Sequence, residues 1–199
     1  MDSSSQLIFD LHTIGAIKFG KFKLKSGIIS PFYLDLRILV SYPDVLRYSA
    51  LAMAQILTTL KFDRIAAIPY AAMPIGTAIA LEMNRPMIYP RREKKDYGTG
   101  RAIEGEFNAG ETAVVIDDVI TTGASKIEAI EPLVEARLKV RDIVVLVDRE
   151  QGGVAELSAR GFRVHAALKI RGVMQTLKDA EKVSEQDFNE VMKFLAESK

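Results

Sequence analysis

The sequence predicts an α/β fold in which helices flank a parallel β-sheet. Short apolar runs, such as residues 65–69 and 143–147, alternate with stretches that carry apolar residues at helical spacing. The runs lack polar alternation, which is typical of strands buried on both faces of a sheet. With 199 residues, 48% of them hydrophobic, the chain is long enough to bury one substantial core.

The helices and strands of this core are predicted in order along the chain. A helix is expected over residues 44–60, because Pro43 and Asp44 can start it and apolar residues then recur at helical spacing. Strands and helices alternate after it. The predicted strands are residues 65–69, 87–89, 113–116, 143–147 and 164–168, and the predicted helices are residues 75–83, 125–138 and 154–160.

The two ends of the chain fall outside this alternation. Residues 3–37 predict a short helix followed by a turn-rich stretch, and residues 184–195 predict a helix that opens with Ser184 and Asp187 in capping-box spacing. Both ends are expected to pack as a cap near the carboxyl edge of the sheet. The predicted division of one domain, residues 1–199, is an N-terminal hood segment (1–40), an α/β core (44–170), a loop (91–110) and a C-terminal helical segment (171–199).

The loop over residues 91–110 is charged, poor in apolar residues and rich in glycine. A loop of that length inside a compact domain is usually functional or disordered. By composition alone, a solvated surface loop explains it equally well.

Composition excludes several classes of function. Lysine and arginine number 27 against 26 acidic residues, a net charge of +1, so no nucleic-acid or anionic-membrane partner is expected. The absence of cysteine excludes disulfides, thiolate nucleophiles and thiolate metal sites. Residues 1–6 do not resemble a signal peptide, and the apolar-rich residues 50–60 are too few to span a membrane. A cytoplasmic protein is therefore expected.

Residues 112–126 carry the most informative motif: an apolar strand, then Asp117 and Asp118, then a turn of small residues and a helix. Backbone N–H groups at such a turn can converge on a phosphate. The two carboxylates suit sugar hydroxyls or hydrated Mg²⁺. The alternative, that the aspartates only cap the helix, explains one aspartate better than two. The motif thus indicates a ribose 5-phosphate site.

This motif resembles the phosphoribosyl diphosphate motif of type I phosphoribosyltransferases, whose fold is a parallel sheet flanked by helices under a variable hood. Residues 22–35, 91–98 and 147–153 narrow the resemblance to the orotate phosphoribosyltransferases. The resemblance implies Mg²⁺-dependent transfer of ribose 5-phosphate from 5-phosphoribosyl 1-diphosphate to orotate in UMP synthesis. It also implies a homodimer in which Lys95 of a mobile catalytic loop acts in the neighbouring subunit's site.

The resemblance further implies the residues of the site. The expected catalytic residues are Arg91, Lys95, Asp117 and Asp118. The expected contacts to phosphoribosyl diphosphate are Lys25, Ala72, Met73, Arg91, Arg92, Lys95, Tyr97, Asp117, Asp118, Val119, Ile120, Thr121, Thr122, Gly123, Ala124 and Ser125. The expected contacts to orotate are Lys25, Tyr33, Leu34, Thr121 and Arg149. Mg²⁺ would be held mainly by the substrate, with Asp117 and Asp118 reached through water.

Two departures from many bacterial members resemble the orotate domain of bifunctional UMP synthases. Residues 69–74 contain no lysine, so contact to diphosphate falls to the backbone of Ala72 and Met73, and Tyr97 stands in place of a histidine. The chain is then either a stand-alone transferase or an excised domain, with an orotidylate decarboxylase as a partner.

The ribose phosphate motif is also compatible with two alternative functions. A purine or xanthine phosphoribosyltransferase would share residues 117–125 but not Lys25, Lys95 and Arg149. A regulator that senses phosphoribosyl diphosphate without turnover would lose the loop cations or gain a nucleic-acid-binding segment, and this sequence shows neither change.

Overall fold

The computed structural model describes residues 3–24, 27–91 and 102–197. The strands in these ranges are β1 (Ile17–Lys23), β2 (Ile29–Leu34), β3 (Arg64–Ala67), β4 (Met87–Pro90), β5 (Ile103–Glu104), β6 (Thr112–Ile120), β7 (Lys139–Asp148) and β8 (Arg163–Lys169). The helices are α1 (Ser3–Thr13), α2 (Pro43–Leu57), α3 (Ala72–Met83), α4 (Ala124–Glu135), α5 (Gly153–Ala159), α6 (Ile170–Asp179) and α7 (Glu185–Glu197), and a 3-10 helix spans Leu36–Ser41.

The central sheet confirms the predicted α/β fold. Its strand order is β5-β4-β3-β6-β7-β8, and every neighbouring pair is parallel except β4 with β5. Side chains of β6 alternate between two cores, as the period of a strand requires. Val114 and Ile116 pack in the core that includes α1, α2, α3, α6 and α7. Ala113 and Val115 pack in the core that includes α4 and α5.

The two ends of the chain pack together. Strands β1 and β2 form an antiparallel hairpin, where the sequence predicted only a turn-rich stretch. Phe32 of β2 meets Phe194 of α7 edge to face, with ring centroids 6.2 Å apart. The predicted capping contact of α7 is confirmed, because the Asp187 N–H donates to Ser184 Oγ at 3.0 Å. The hairpin and the C-terminal helix thus form one unit beside the sheet.

Several predicted boundaries were wrong. Strand β6 extends to Ile120, beyond the predicted end at residue 116, because its pairing with β7 continues to Ile120↔Asp148. Asp117 and Asp118 therefore lie within the strand and not after it. Helix α3 begins at Ala72, earlier than the predicted residue 75, since Pro74 is tolerated in a first helical turn. No helix among the described residues is long and apolar enough to cross a membrane.

Candidate active site

The carboxyl ends of β6 and β7 bring two predicted site segments together. These strands are parallel neighbours with Val119 opposite Val147, so residues 121–123 and 149–153 leave the sheet side by side. Ligands of open α/β sheets bind at this edge.

Close packing joins the two segments. The Gly153 N–H donates to the Thr121 carbonyl at 2.9 Å. A Cβ on Gly153 would stand 2.5 Å from that carbonyl oxygen and 2.7 Å from Ile120 Cγ1, so only glycine fits there. Gly123 adopts a φ of +84°, which glycine also favours, and it turns the chain into α4. Thr122, Ala124 and Ser125 remain exposed, which leaves the N-terminus of α4 open to a ligand.

Asp117 is buried and fully engaged by the protein. Only 4% of the residue is exposed. The Asp118 N–H donates to Asp117 Oδ1 at 2.8 Å, and Lys126 of α4 forms an ion pair with Asp117 Oδ2. Lys126 is itself buried. Lys126 is the last residue of the predicted motif but was not among the predicted contacts.

Asp118 differs from Asp117 in that no cation among the described residues forms an ion pair with it. Burial raises its pKa to about 8, helped by the negative charge of Asp117 and a hydrogen bond with it. Lys126 and the Val119 N–H oppose this rise. A partner with hydroxyl groups or a cation would favour the ionised form, so Asp118 is the group best placed to receive one.

Arg149 is a buried cation at the carboxyl end of β7, and only 4% of the residue is exposed. Its Nη2 donates to Ser30 Oγ at 3.0 Å and its Nε donates to Gln151 Oε1 at 2.8 Å. The guanidinium carbon lies 4.2 Å from the centroid of the Phe32 ring. Burial lowers the pKa of Arg149 to about 10, against the attraction of Tyr33. Within the described ranges, no carboxylate forms an ion pair with Arg149.

The hairpin supplies the remaining described residues near Arg149. In β2 the inward positions are Ser30, Phe32 and Leu34, which alternate with half-buried or exposed neighbours. Tyr33 is half-buried, and its hydroxyl accepts a hydrogen bond from Arg37 Nη2 at 3.2 Å. Leu34 is buried in the core, so its contact to a ligand is restricted to backbone. Ser30 and Phe32 were missed as partners of Arg149; only their alternation in the strand could have indicated them.

The loop after β3 reaches the same edge of the sheet. Ala72 and Met73 lie in the first turn of α3, and Ala72 is buried. The Met73 N–H donates to the Tyr70 carbonyl at 3.2 Å, so this predicted donor to diphosphate already has a partner.

Arg91 closes the base of the predicted catalytic loop. Its N–H donates to the Ala102 carbonyl at 2.8 Å, and its guanidinium forms an ion pair with Glu104. The structure therefore engages Arg91 with the protein. The other loop residues predicted for the site, Arg92, Lys95 and Tyr97, lie outside the described residues, as does Lys25.

This edge of the sheet could hold a metal ion only with the help of a bound phosphate compound or water. No group of three or more acidic, histidine or cysteine side chains that could hold a metal occurs among residues 3–24, 27–91 and 102–197. Asp117 is occupied by Lys126, which leaves Asp118 as the available carboxylate. A divalent cation here would need most of its oxygen ligands from water or from a bound phosphate compound.

A cavity of about 710 Å³ lies elsewhere, against Arg64, Ile103 and Phe107. Arg64 is the first residue of β3, so this cavity is at the amino ends of the strands, opposite the residues above. It plays no part in the candidate site.

Comparison with known proteins identifies the family. The phosphoribosyl transferase domain family matches residues 39–163. An orotate phosphoribosyltransferase from Pyrobaculum islandicum is 40% identical over 185 residues, which cover 92% of this chain and 95% of that protein. The chain belongs to the orotate phosphoribosyltransferase family.

Longer proteins also contain this phosphoribosyltransferase domain. The bifunctional enzyme PyrF/PyrE of Nostoc sp. is 43% identical over 182 residues, which cover 92% of this chain and 38% of that enzyme. The solved UMP synthase of Leishmania donovani superposes with a TM-score of 0.93 at 43% identity, covering 98% of this chain and 43% of that one. The chain thus spans about two fifths of the length of these relatives.

Proposed function

We propose that the chain is an orotate phosphoribosyltransferase (EC 2.4.2.10) of de novo UMP synthesis. It transfers ribose 5-phosphate from 5-phosphoribosyl 1-diphosphate to orotate and gives orotidine 5′-monophosphate and diphosphate. The observation that carries this proposal is Arg149, a buried cation without a described carboxylate partner, beside the turn at residues 121–123.

Orotate supplies the anion that Arg149 lacks. Nε and one Nη2 donor are used by Gln151 and Ser30, and these bonds fix the plane of the guanidinium. The remaining donors can bind the orotate carboxylate in a charge-assisted pair. Adenine carries no such carboxylate, so it would leave Arg149 buried and unpaired, which is costly. This difference favours orotate over a purine base.

The turn after β6 and the start of α4 hold the ribose 5-phosphate. The N–H groups around Thr121 to Ser125 and the helix dipole favour the phosphate. Asp118 accepts hydrogen bonds from ribose hydroxyls, while Asp117 supports it through its contact with the Asp118 N–H.

The reaction breaks the bond from ribose C1 to a diphosphate oxygen and forms a bond from C1 to a ring nitrogen of orotate, which loses its proton. Positive charge builds on the ribose ring and negative charge on diphosphate, so catalysis is mainly positioning and charge stabilisation. Mg²⁺, bound mostly through the diphosphate and reached from Asp118 through water, would neutralise part of that negative charge. Arg91, Arg92 and Lys95 would add cations from the loop at residues 91–110.

Other properties of the protein are part of the same proposal. Residues 1–199 form one phosphoribosyltransferase domain divided as the sequence predicts. The chain acts in the cytoplasm as a homodimer in which Lys95 reaches the neighbouring subunit's site. The bifunctional and UMP synthase relatives support an orotidylate decarboxylase as a partner.

Loss of orotate absorbance with 5-phosphoribosyl 1-diphosphate and Mg²⁺ tests the proposal, with uracil, adenine and xanthine as parallel substrates. Magnesium-dependent consumption of orotate alone is expected. Turnover of another base would retain the ribose site and contradict the role of Arg149. Binding of 5-phosphoribosyl 1-diphosphate without turnover of any base would indicate a sensor.

A further inference from the structure

Lys126 is placed where a lysine is unfavourable. It lies in the first turn of α4 and is 7% exposed, while the other buried positions of this helix, Ile130 and Leu133, are apolar. Burial of an ammonium group costs desolvation energy. The positive end of the helix dipole repels a cation in the first turn. A favourable contact must offset both terms.

That contact is with Asp117. The Lys126 ammonium pairs with Oδ2, while Oδ1 accepts the Asp118 N–H at 2.8 Å. Both carboxylate oxygens are therefore held, one by the helix and one by the next residue of the strand. In addition, the cation offsets one of two adjacent negative charges, which would otherwise repel each other and any phosphate nearby.

We propose that Lys126 is a positioning residue for the binding of 5-phosphoribosyl 1-diphosphate. It fixes Asp117 so that Asp118 faces the ribose hydroxyls, and with Asp118 ionised the three groups together carry one net negative charge. This inference rests on the proposed function, since it assumes that substrate. Lys126 does not touch the reacting atoms. Its effect on substrate passes through Asp117 and the Asp118 N–H.

The test compares Lys126→Met with the control Lys193→Met, which removes an exposed lysine of α7. Binding of 5-phosphoribosyl 1-diphosphate with Mg²⁺ is measured by calorimetry, and KM for each substrate from initial rates. Lys126→Met should weaken that binding by about 10- to 100-fold, by analogy with the loss caused by removing residues that orient metal ligands. KM for orotate should stay within about twofold, as should both constants in the control.

If Lys126 only stabilises the fold, the experiment gives another result. Lys126→Met would then lower the melting temperature and leave the affinity of the folded protein for 5-phosphoribosyl 1-diphosphate unchanged, which would overturn the proposal. An equal rise in KM for both substrates would overturn it as well. Lys126→Arg keeps the cation, and it should retain binding within a few-fold of the parent.

If Lys126→Met does not fold, NMR of the parent chain with ¹⁵N-lysine replaces it. The Lys126 Nζ resonance, assigned by its loss in Lys126→Arg, should shift on addition of 5-phosphoribosyl 1-diphosphate and Mg²⁺ but not of orotate alone. No shift would overturn the proposal. A parent chain that binds 5-phosphoribosyl 1-diphosphate but does not consume orotate contradicts the proposed function, while calorimetry still tests Lys126. A parent chain that does not bind it overturns both.

Discussion

Replacing Arg149 by methionine separates recognition of the base from stability of the fold. The change keeps an unbranched side chain and removes the only group proposed to pair with the orotate carboxylate. Loss of one partner of a buried charged hydrogen-bonded pair costs about 2–5 kcal/mol. We therefore expect kcat/KM for orotate to fall roughly 30- to 5,000-fold. Affinity for 5-phosphoribosyl 1-diphosphate should not change.

Stability should respond differently in the same variant. The contact with Phe32 contributes about 1–2 kcal/mol and each hydrogen bond donated by the charged guanidinium about 1.5–3 kcal/mol. Their loss is offset because the free chain no longer buries an unpaired cation. The melting temperature should thus stay within about 4 °C of the parent's, since 1 kcal/mol corresponds to about 2–4 °C in a chain of this size.

Rates of orotate consumption at saturating 5-phosphoribosyl 1-diphosphate and Mg²⁺ measure the effect. Arg160→Met is the matched control, because Arg160 is an exposed arginine at the end of α5 that pairs with Glu156. The control should retain the parent's kcat/KM. A decrease of less than about threefold in Arg149→Met would refute the assignment of the carboxylate to Arg149.

Three other substitutions test the geometry. Gly153→Ala places a methyl group 2.5 Å from the Thr121 carbonyl oxygen, so the free energy of unfolding should fall by about 1–3 kcal/mol and both substrates should bind more weakly. The control is Gly172→Ala in α6, whose methyl group meets no atom within 4 Å. It should be neutral or stabilising in the same melting experiment. Asp118→Asn should remove a pH-dependent loss of stability. The folded pKa of Asp118, about 8, lies above the ordinary 3.8, so the parent loses stability as pH rises from about 4 to 8. Melting temperatures of the two proteins that change in parallel over this pH range would contradict this. Burial alone would raise the pKa of Asp142, but hydrogen bonds from Arg163 and His165 lower it below 3.8. Asp142→Asn should therefore be less stable than the parent at pH 7, and the difference should shrink in acid-unfolding curves as pH falls through the folded pKa. A difference that stays constant down to the lowest pH would argue against the ion pair.

Local patterns allowed the neighbourhood of the residues proposed to bind ribose phosphate to be predicted. Asp117, Asp118 and the turn to Gly123 are neighbours in sequence, so a strand-turn-helix pattern sufficed to place them together. The end of the strand was misjudged because two carboxylates look like a boundary. Pairing with β7, which no local pattern specifies, extends the strand through them.

The environment of Arg149 could not be predicted in the same way. Ser30, which holds its Nη2, is 119 residues away in the chain, and Phe32 lies under its guanidinium only because β2 packs beside the sheet. Lys126 is close in sequence to Asp117, but its burial follows from the docking of α4 and not from its residue type, which usually lies at the surface.

The two halves of the proposed site also differ in how far apart along the chain their contacts lie. The two contacts that hold Asp117, from the Asp118 N–H and from Lys126, lie within residues 112–126 and close short loops, while the turn after them is held by Gly153. The base half joins Arg149 to the hairpin, and the hairpin is packed by Phe194 of α7, so it requires contacts across nearly the whole chain. The contacts proposed for the base therefore depend on the most distant parts of the chain. If the proposed function is right, a chain that lacks α7 would keep the residues proposed for the sugar phosphate and lose support for those proposed to select its acceptor.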